Sequence, residues 1–162
     1  MKTLVLIRHA KSSWSHGLQD VDRPLSDRGF NDANLLSNEF KTLNFIPDSV
    51  FSSPANRALT TCNIFMETLQ ISKCNLQISN QLYDFEGRKV LDFIRHLDDS
   101  INNVMIFGHN YALTAISNLL GNVFIDNLPT CGLVMINFDT SFWKNIDKGH
   151  HALTLFPKHL KT

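Results

Sequence analysis

Short apolar runs alternate with longer segments of helical periodicity along almost the whole chain, and this alternation limits the folds that the chain can adopt. The short runs are rich in β-branched and aromatic residues, which predicts strands. They lie at about 3–8, 49–52, 76–78, 104–107, 133–138 and 152–156. Several are apolar throughout, so both faces of the sheet must be covered. The pattern predicts an α/β fold, a three-layer α/β/α sandwich with a mostly parallel central sheet, with residues 1–162 in one domain.

The helical segments carry start and stop signals of their own. Ser26 is a predicted N-cap of a helix whose apolar face runs to Leu43, and Ser53-Pro54 predicts the N-cap and first residue of the next helix. A later helix carries Leu119 on its apolar face and is closed by Gly121. These helices occupy most of the intervals between the predicted strands.

The overall charge and the cysteines exclude several classes of protein. Lysine and arginine together number 15, as do aspartate and glutamate, so we expect no binding to nucleic acid or membrane through bulk electrostatics. No run approaches the ~20 apolar residues of a membrane span. The three cysteines are widely spaced and lack a CxxC pair, which favours a reducing compartment. We expect a cytoplasmic protein, and the sequence leaves its oligomeric state open.

Basic and imidazole side chains follow three of the predicted strands. Arg8-His9 ends the first strand, Gly108-His109-Asn110 ends a later one, and Arg57 lies one turn beyond Ser52-Ser53-Pro54. Because the carboxyl ends of parallel strands meet at one edge of a sheet, these groups should converge where helix N-termini also direct free amides. The sequence predicts an anion pocket at this edge, most simply a pocket for phosphate.

The residue types in this pocket suit phosphoryl transfer. Arginine holds phosphoryl oxygens with a planar fork and a permanent charge. A neutral imidazole can attack phosphorus and form a phosphohistidine intermediate, and a second imidazole, if protonated, can donate to a phosphoryl oxygen. Carboxylates are scarce near these corners, and we expect neither a metal ion nor another cofactor.

Four segments, LIRHAKSSW, DRPLSDRG, SSPANRALTT and IFGHN, resemble the histidine phosphatase superfamily in order and spacing. This superfamily is also called phosphoglycerate-mutase-like, and the segments are most similar to its short SixA-type branch, the phosphohistidine phosphatases. The likeness covers roughly residues 3–138. The combination is far more specific than any one of its segments.

The resemblance assigns roles to the residues at the strand ends. It implies that His9 is the phosphorylated nucleophile and that the other catalytic residues are Arg8, Arg57 and His109. In many relatives an asparagine follows the tryptophan and contacts phosphate, and Ser15 stands at that place here. The expected phosphate-binding residues are Arg8, Ser15, Arg57, His109 and Asn110.

The resemblance also indicates a place for a proton donor. Larger members carry a glutamate shortly after a leucine in the middle of the chain, and the matching stretch here puts Asp84 at that place, with Glu86 nearby. A phosphate ester needs such an acid to protonate its alkoxide leaving group. A phosphoramidate needs it less, because imidazole departs readily once protonated. We treat Asp84 as a possible general acid and leave Glu86 open.

Chain length between the predicted elements indicates how open the pocket is. Residues 78–104 have room for one helix and residues 121–133 for a loop only, whereas relatives that act on small metabolites insert helices over the pocket. An open pocket can admit a side chain of another protein. The first hypothesis is therefore a phosphatase of phosphohistidine on a phosphorelay or phosphocarrier protein. The alternatives are a phosphatase of small phosphate esters and a non-catalytic phosphate or phosphoprotein binder, which would need no nucleophile.

Other conspicuous residues carry weaker signals. Arg23 could define substrate access or could be a solvated charge at a helix start. We expect Trp143 in a surface turn and the basic tail at Lys158–Lys161 to be frayed. His150-His151 would point to opposite faces of a strand and so could not chelate a metal together.

Overall fold

The computed structural model describes residues 1–14 and 17–161. Within these ranges the chain forms a six-stranded sheet flanked by helices. The strands are β1 (Lys2–Arg8), β2 (Ser49–Ser52), β3 (Leu76–Ile78), β4 (Asn103–Gly108), β5 (Leu133–Phe138) and β6 (His150–Leu155). The helices are α1 (Asp27–Lys41), α2 (Asn56–Leu69), α3 (Arg88–Arg95), α4 (Ala112–Leu120) and α5 (Pro157–Leu160). Short 3₁₀ turns include Asp20–Asp22, Asn80–Leu82 and Trp143–Asn145.

The sheet has the strand order β3-β2-β4-β1-β5-β6. The first four strands are mutually parallel, β5 is antiparallel to β1, and β6 is antiparallel to β5. The predicted α/β fold with a mostly parallel sheet is confirmed, and the antiparallel pair is confined to one side of it. Within the described ranges, no helix is long and apolar enough to cross a membrane.

Strand β1 shows why the sheet is covered on both faces. Leu4 and Leu6 point into a core formed with α3 and α4, whereas Val5 and Ile7 point into a core formed with α1 and α2. All four side chains are fully buried. Because successive strand residues face opposite sides, only a run that is apolar throughout can serve two helical layers.

Hydrogen bonds beyond the strand ends fix the backbone at the edge where the site was predicted. The His9 N–H donates to the Gly108 carbonyl at 3.0 Å, and the Ser53 N–H donates to the Phe107 carbonyl at 3.0 Å. The ends of β1, β2 and β4 are thereby held side by side for one residue past the sheet.

The start of α1 supports the loop that follows His9. Ser26 is the N-cap, as predicted, and its Oγ accepts a hydrogen bond from the Gly29 N–H at 3.2 Å. The Ser26 N–H in turn donates to the Lys11 carbonyl at 2.9 Å. A Cβ at position 29 would lie 2.1 Å from that carbonyl oxygen, so the close approach of helix and loop requires glycine.

Two predicted helix boundaries are wrong. Helix α1 ends at Lys41, so Leu43 falls outside it and is 49% exposed. Helix α2 has Ala55 as its N-cap instead of Ser53, whose Oγ accepts from the Ala55 N–H at 3.2 Å in a turn before the helix. Leu119 also lies off the buried face of α4 and is half-exposed.

Two peripheral predictions are also wrong. Trp143 is fully buried, because its 3₁₀ turn packs against the α3 layer and its Nε1–H donates to the Ile101 carbonyl at 2.7 Å. The C-terminal segment forms the short helix α5. It is tied down by an ion pair of 2.8 Å between Lys161 Nζ and the buried Asp32 carboxylate.

Candidate active site

Four buried side chains cluster at the carboxyl ends of β1, β2 and β4, at the edge where the sequence predicts a pocket. These residues, the pocket floor, are His9, Ser53, Arg57 and His109. Each is at most 7% exposed, and the centroids of the two imidazole rings lie 5.3 Å apart. The structure therefore brings together three of the residues that the sequence predicted to converge, His9, Arg57 and His109.

The hydrogen bonds of His9 determine which ring nitrogen carries its proton. Nδ1 lies 2.7 Å from the Ala10 carbonyl oxygen, and because a carbonyl can only accept, Nδ1 must donate. Nε2 is then left with a free electron pair, which accepts a long hydrogen bond of 3.4 Å from Arg57 Nε. Burial first, and then the charges of the neighbouring basic groups, lower the pKa of His9 to about 3 despite the favourable bond to Ala10. His9 is therefore neutral at pH 7, with Nε2 available as a nucleophile.

Thr61 on α2 connects the loop that follows His9 to Arg57. Its Oγ1 accepts from the Ala10 N–H at 2.9 Å and donates to the Arg57 carbonyl at 2.7 Å. This single hydroxyl fixes the loop after His9 against the first turn of α2. The hydroxyl of Thr61 thus sets the relative positions of His9 and Arg57 by bonding the backbone beside each of them.

His109 is oriented by Ser53. Its Nε2 lies 2.8 Å from Ser53 Oγ, and within the described part of the chain its buried Nδ1 has no hydrogen-bond partner. Burial, followed by the charge of Arg57, lowers the pKa of His109 to about 3. The sequence predicted that the second imidazole, if protonated, donates a hydrogen bond to a phosphoryl oxygen. A neutral ring can donate as well, because Ser53 Oγ–H can donate to Nε2 and leave the proton on Nδ1.

Arg8 lies beside the pocket floor with a partly exposed side chain. Its Nη1 donates to the Leu128 carbonyl at 2.9 Å, and its buried Nε has no partner among the described residues. Burial lowers the pKa of Arg8 from its ordinary value, and the neighbouring Arg57 contributes in the same direction. Arginine nevertheless remains charged at neutral pH, so the pocket contains two guanidinium groups.

Asp84, the predicted general acid, caps α3. Its Oδ1 accepts from the Glu86 N–H at 3.0 Å, and its Oδ2 accepts from the Gly87 and Val90 N–H groups at 3.0 and 3.1 Å. Both oxygens are thus occupied by the backbone, in a side chain that is 7% exposed. This geometry gives Asp84 a structural role and does not favour it as a proton donor. Glu86 is exposed on the same turn.

Asn110, another predicted phosphate contact, uses its side chain in hydrogen bonds away from the pocket floor. Asn110 follows β4 as expected, but its Nδ2 donates to Asn127 Oδ1 at 2.6 Å and its Oδ1 accepts from the Thr114 hydroxyl at 2.5 Å. The amide is therefore used to connect α4 with the following loop. Ser15 lies outside the described residues, and its phosphate contact stays a prediction.

One acidic residue of this site was missed by the sequence argument. Asp20 lies in the 3₁₀ turn Asp20–Asp22, and its Oδ2 accepts from Arg57 Nη2 at 2.9 Å and from the Tyr83 hydroxyl. Its Oδ1 accepts from Arg23 Nη1 at 3.2 Å, and its backbone carbonyl accepts from Arg57 Nη1 at 2.6 Å. We call Asp20, Arg23 and Tyr83 the pocket mouth. The sequence feature that could have indicated Asp20 is its position in the polar loop just before DRPLSDRG.

Metal binding finds no support in the side-chain positions. Across residues 1–14 and 17–161, no group of three or more His, Cys, Asp or Glu side chains lies close enough to hold a metal ion. His150 is exposed, and the ring of His151 contacts the Thr154 hydroxyl.

The first half of the chain matches the model of a known protein family. The family model of the histidine phosphatase superfamily (branch 1) matches residues 4–87, just over half of the chain. The chain therefore belongs to the histidine phosphatase superfamily. This match includes β1 from its third residue onward, the segment of Arg57 and the capping loop of Asp84.

Relatives of known sequence match at low identity. An uncharacterized protein of Mycobacterium tuberculosis is 25% identical over 162 residues, which cover 93% of this chain and 98% of that protein. An uncharacterized chloroplastic protein of Arabidopsis thaliana is 27% identical over 152 residues, which cover 88% of this chain and 69% of that protein. A 2,3-bisphosphoglycerate-dependent phosphoglycerate mutase of Bifidobacterium longum is 39% identical, but over only 67 residues, 40% of this chain and 27% of the mutase.

Solved structures share the fold over nearly the whole chain. A protein histidine phosphatase SixA, in complex with tungstate, matches with a TM-score of 0.83 at 18% identity and covers 98% of this chain and 99% of its own. A mycobacterial glucosyl-3-phosphoglycerate phosphatase matches with a TM-score of 0.66 at 13% identity, covering 94% of this chain and 98% of its own. At these identities the likeness establishes the fold.

Proposed function

We propose that this protein is a phosphatase that removes the phosphoryl group from a phosphohistidine on a partner protein. The observation that carries the proposal is the state of His9, a neutral imidazole whose Nδ1 is held by the Ala10 carbonyl and whose free Nε2 lies 3.4 Å from Arg57 Nε. A binding module needs no such nucleophile. The arrangement supports covalent catalysis through a phosphorylated His9.

The first step would transfer the phosphoryl group to the enzyme. His9 Nε2 attacks phosphorus, the P–N bond to the substrate histidine breaks, and the departing imidazole leaves with a proton taken up from solvent. Arg8 and Arg57 would neutralise the phosphoryl oxygens, and His109 Nδ1–H would donate to one of them. The Nδ1–H bond to Ala10 stabilises the positive charge that develops on the His9 ring, in the way that a hydrogen bond to the far nitrogen orients other catalytic histidines.

The second step would regenerate the free enzyme. Water attacks the phosphorus of phosphorylated His9, the P–Nε2 bond breaks, and inorganic phosphate leaves with the oxygen of that water. The water proton not retained by phosphate returns to solvent. Because the same two guanidinium groups face the phosphoryl group in both steps, one pocket serves transfer and hydrolysis.

The surroundings of the pocket favour phosphohistidine over a phosphate ester. Asp84, at the place of the acid in larger relatives, is committed to capping α3. An ester with an alkoxide leaving group would depend on such an acid. Between β3 and β4 the chain contributes the 3₁₀ turn Asn80–Leu82 and α3, and between α4 and β5 it contributes only irregular loop. The short connections leave room for a side chain presented by a partner, such as a phosphorelay or phosphocarrier protein.

The comparisons support the same substrate class. The neighbour with a TM-score of 0.83 is a protein histidine phosphatase, and it spans almost the same length as this chain. The likeness to a phosphoglycerate mutase, in contrast, stops at 27% of that enzyme. Phosphate esters of small metabolites therefore remain the alternative on the same scaffold.

The proposal is tested by phosphate release from a histidine-phosphorylated protein, compared with a panel of small phosphate esters, with no metal added. We expect kcat/KM to be highest for the phosphohistidine substrate. The control is the same panel with a protein whose histidine phosphate has been removed by mild acid. Preference for one of the esters would contradict the proposed substrate class while leaving His9 as the nucleophile, and phosphate binding without turnover of any substrate would indicate a binder.

A further inference from the structure

The carboxylate of Asp20 is the one acidic group in the described residues that contacts a cation of the pocket floor directly. It accepts hydrogen bonds from Arg57, Arg23 and the Tyr83 hydroxyl, and its backbone carbonyl accepts another from Arg57. Four contacts from three parts of the chain fix its position. Such a group is not a solvated loop residue, and the proposed reaction gives it no role so far.

Asp20 lies on the solvent side of the residues that bind it. Its side chain is 45% exposed, whereas the side chains of Arg57 and Arg23 are 3% and 8% exposed. The guanidinium of Arg57 bridges the two groups, because its Nε donates to His9 Nε2 and its Nη2 donates to the Asp20 carboxylate. The carboxylate is thus far more accessible to solvent than the buried ring of His9, which is 7% exposed.

The direction of the reaction places the leaving group at the same side. Displacement at phosphorus keeps the attacking and leaving atoms roughly in line. Because His9 Nε2 attacks from the buried side, the leaving nitrogen departs toward the mouth. The leaving imidazole would then lie beside Asp20 and the ring of Tyr83, which itself packs 5.2 Å from the ring of His109.

Asp20 is an anion at neutral pH. Burial alone would raise its pKa, but the hydrogen bonds from Tyr83 and Arg57, together with the charge of Arg57, outweigh that effect and lower the pKa to about 2. Asp20 in turn raises the pKa of His109 slightly against the dominant effect of burial. A fixed negative charge at the mouth attracts a cationic N–H and repels an anionic substituent.

We propose that Asp20 determines the leaving-group specificity of this site: its carboxylate accepts a hydrogen bond from the protonated imidazole of the departing histidine. The inference rests on the proposed function and adds to it the residue that selects the leaving group. Protonation of the imidazole makes it a good leaving group, and a carboxylate acceptor stabilises that protonated form without donating the proton itself. The proton comes from solvent and stays on the released histidine.

The substitution Asp20→Asn separates this role from a purely structural one. The asparagine carbonyl can still accept hydrogen bonds from Arg57 and the Tyr83 hydroxyl, so the orientation of the Arg57 guanidinium is preserved while the charge and the bond from Arg23 are removed. The matched control is Asp22→Asn, which neutralises an exposed carboxylate two residues away in the same 3₁₀ turn. Thermal unfolding of both variants checks that the fold is unchanged.

Wild type and both variants are assayed between pH 6 and pH 9 with two substrates. One is a histidine-phosphorylated peptide, and the other is p-nitrophenyl phosphate, whose leaving group departs without a proton. We expect Asp20→Asn to lower kcat/KM for the peptide by about tenfold or more, since hydrogen bonds to charged groups contribute this much. The deficit should grow with pH, because fewer imidazoles carry a proton unaided, and p-nitrophenyl phosphate should change by less than about threefold.

The outcomes separate the inference from the proposed function. If wild type hydrolyses the peptide and Asp20→Asn loses both activities equally at every pH, Asp20 acts only through Arg57 and the inference is wrong. Unchanged activity of Asp20→Asn on the peptide would also overturn it. A wild type that hydrolyses p-nitrophenyl phosphate but not the peptide removes the proposed function, and the inference with it.

Discussion

The pocket floor and the pocket mouth hold charged and ionisable groups in opposite ways. On the floor, both histidines are buried and neutral, and each is positioned by a neighbouring oxygen, the Ala10 carbonyl or the Ser53 hydroxyl. At the mouth, a half-exposed carboxylate is held by two guanidinium groups and a phenol. Burial therefore keeps Nε2 of His9, the proposed nucleophile, free of a proton, whereas hydrogen bonding holds a fixed charge at the mouth.

The difference assigns separate tasks to the two regions. In the proposed reaction the floor, together with Arg8, binds and transfers the phosphoryl group whatever it is attached to, and two arginines and two imidazoles suit any phosphate monoester or phosphoramidate. The mouth contacts only what the phosphoryl group is attached to. Changes on the floor should lower all activities together, and changes at the mouth should alter the ratio between substrates.

The largest effect is expected from removal of the nucleophile. His9→Ala should lower turnover of every substrate by about a thousandfold or more, because no other described group replaces the free Nε2. The fold should survive, since His9 lies beyond the end of β1 and outside the apolar cores. Phosphate release and thermal unfolding measure both properties. His96→Ala, at an exposed histidine that ends α3, is the control and should match wild type.

Turnover of His9→Ala near the wild-type rate would remove His9 from its role. That result would also end the distinction between floor and mouth, because the floor would then be a binding surface only.

A smaller effect on activity is expected from substitution of Asp84. This substitution tests whether Asp84 donates a proton to the leaving group. Asp84→Ala should reduce the free energy of unfolding by about 1–3 kcal/mol, because three backbone N–H groups at the start of α3 lose their acceptor. Activity on phosphohistidine and on esters should fall by the same modest factor. Urea unfolding and the two assays provide the comparison, and Asp84→Asn, which keeps one acceptor oxygen, should lose less stability.

A large loss of ester hydrolysis in Asp84→Ala, with phosphohistidine hydrolysis retained, would restore Asp84 as a general acid. It would place the proton donor on the α3 side of the pocket and make the ester alternative more attractive.

The smallest expected effect is on how the free energy of unfolding changes with pH. The two floor histidines contribute to this change. Both have pKa values near 3 in the folded protein, below the ordinary value of 6.5, so below about pH 6.5 the unfolded state takes up protons that the folded state does not. Stability present above pH 6.5 is therefore lost as the pH falls toward 3. Between pH 7 and pH 5 the loss should be about 1–2 kcal/mol for each histidine.

Urea unfolding at pH 7, 6 and 5 measures this dependence. His9→Gln and His109→Gln should each flatten it by about 1–2 kcal/mol over this range, relative to His96→Gln at an exposed position. An equally steep dependence in all three variants would mean that the floor histidines are not held neutral by burial.

Prediction from the sequence worked best where local pattern and topology coincide. The strands were found because their apolar runs are continuous, and the convergence of His9, Arg57 and His109 followed from parallel strands sharing one edge. Ser26 was identified correctly as an N-cap because its signal lies within four residues of sequence. These features depend on short stretches of chain and on one rule of sheet geometry.

The sequence argument failed where long-range contacts decide the structure. Asp20 lies in a polar loop without periodicity, and its role depends on residues 37 and 63 positions away, Arg57 and Tyr83. Trp143 is buried because its turn packs into the apolar core beside α3, where the distant carbonyl of Ile101 accepts its indole N–H. Asp84 was considered only as a possible general acid, and its capping bonds become visible only when the turn before α3 is seen in three dimensions.

The most direct test of the central claim is to trap the phosphoenzyme. Wild type is mixed with a ³²P-labelled histidine-phosphorylated peptide, quenched in alkali within milliseconds to seconds, and digested to map the label. We predict an acid-labile, alkali-stable phosphate on His9 that forms and decays as fast as turnover and is absent in His9→Ala. Turnover without label on His9, or label on another residue, would contradict the account.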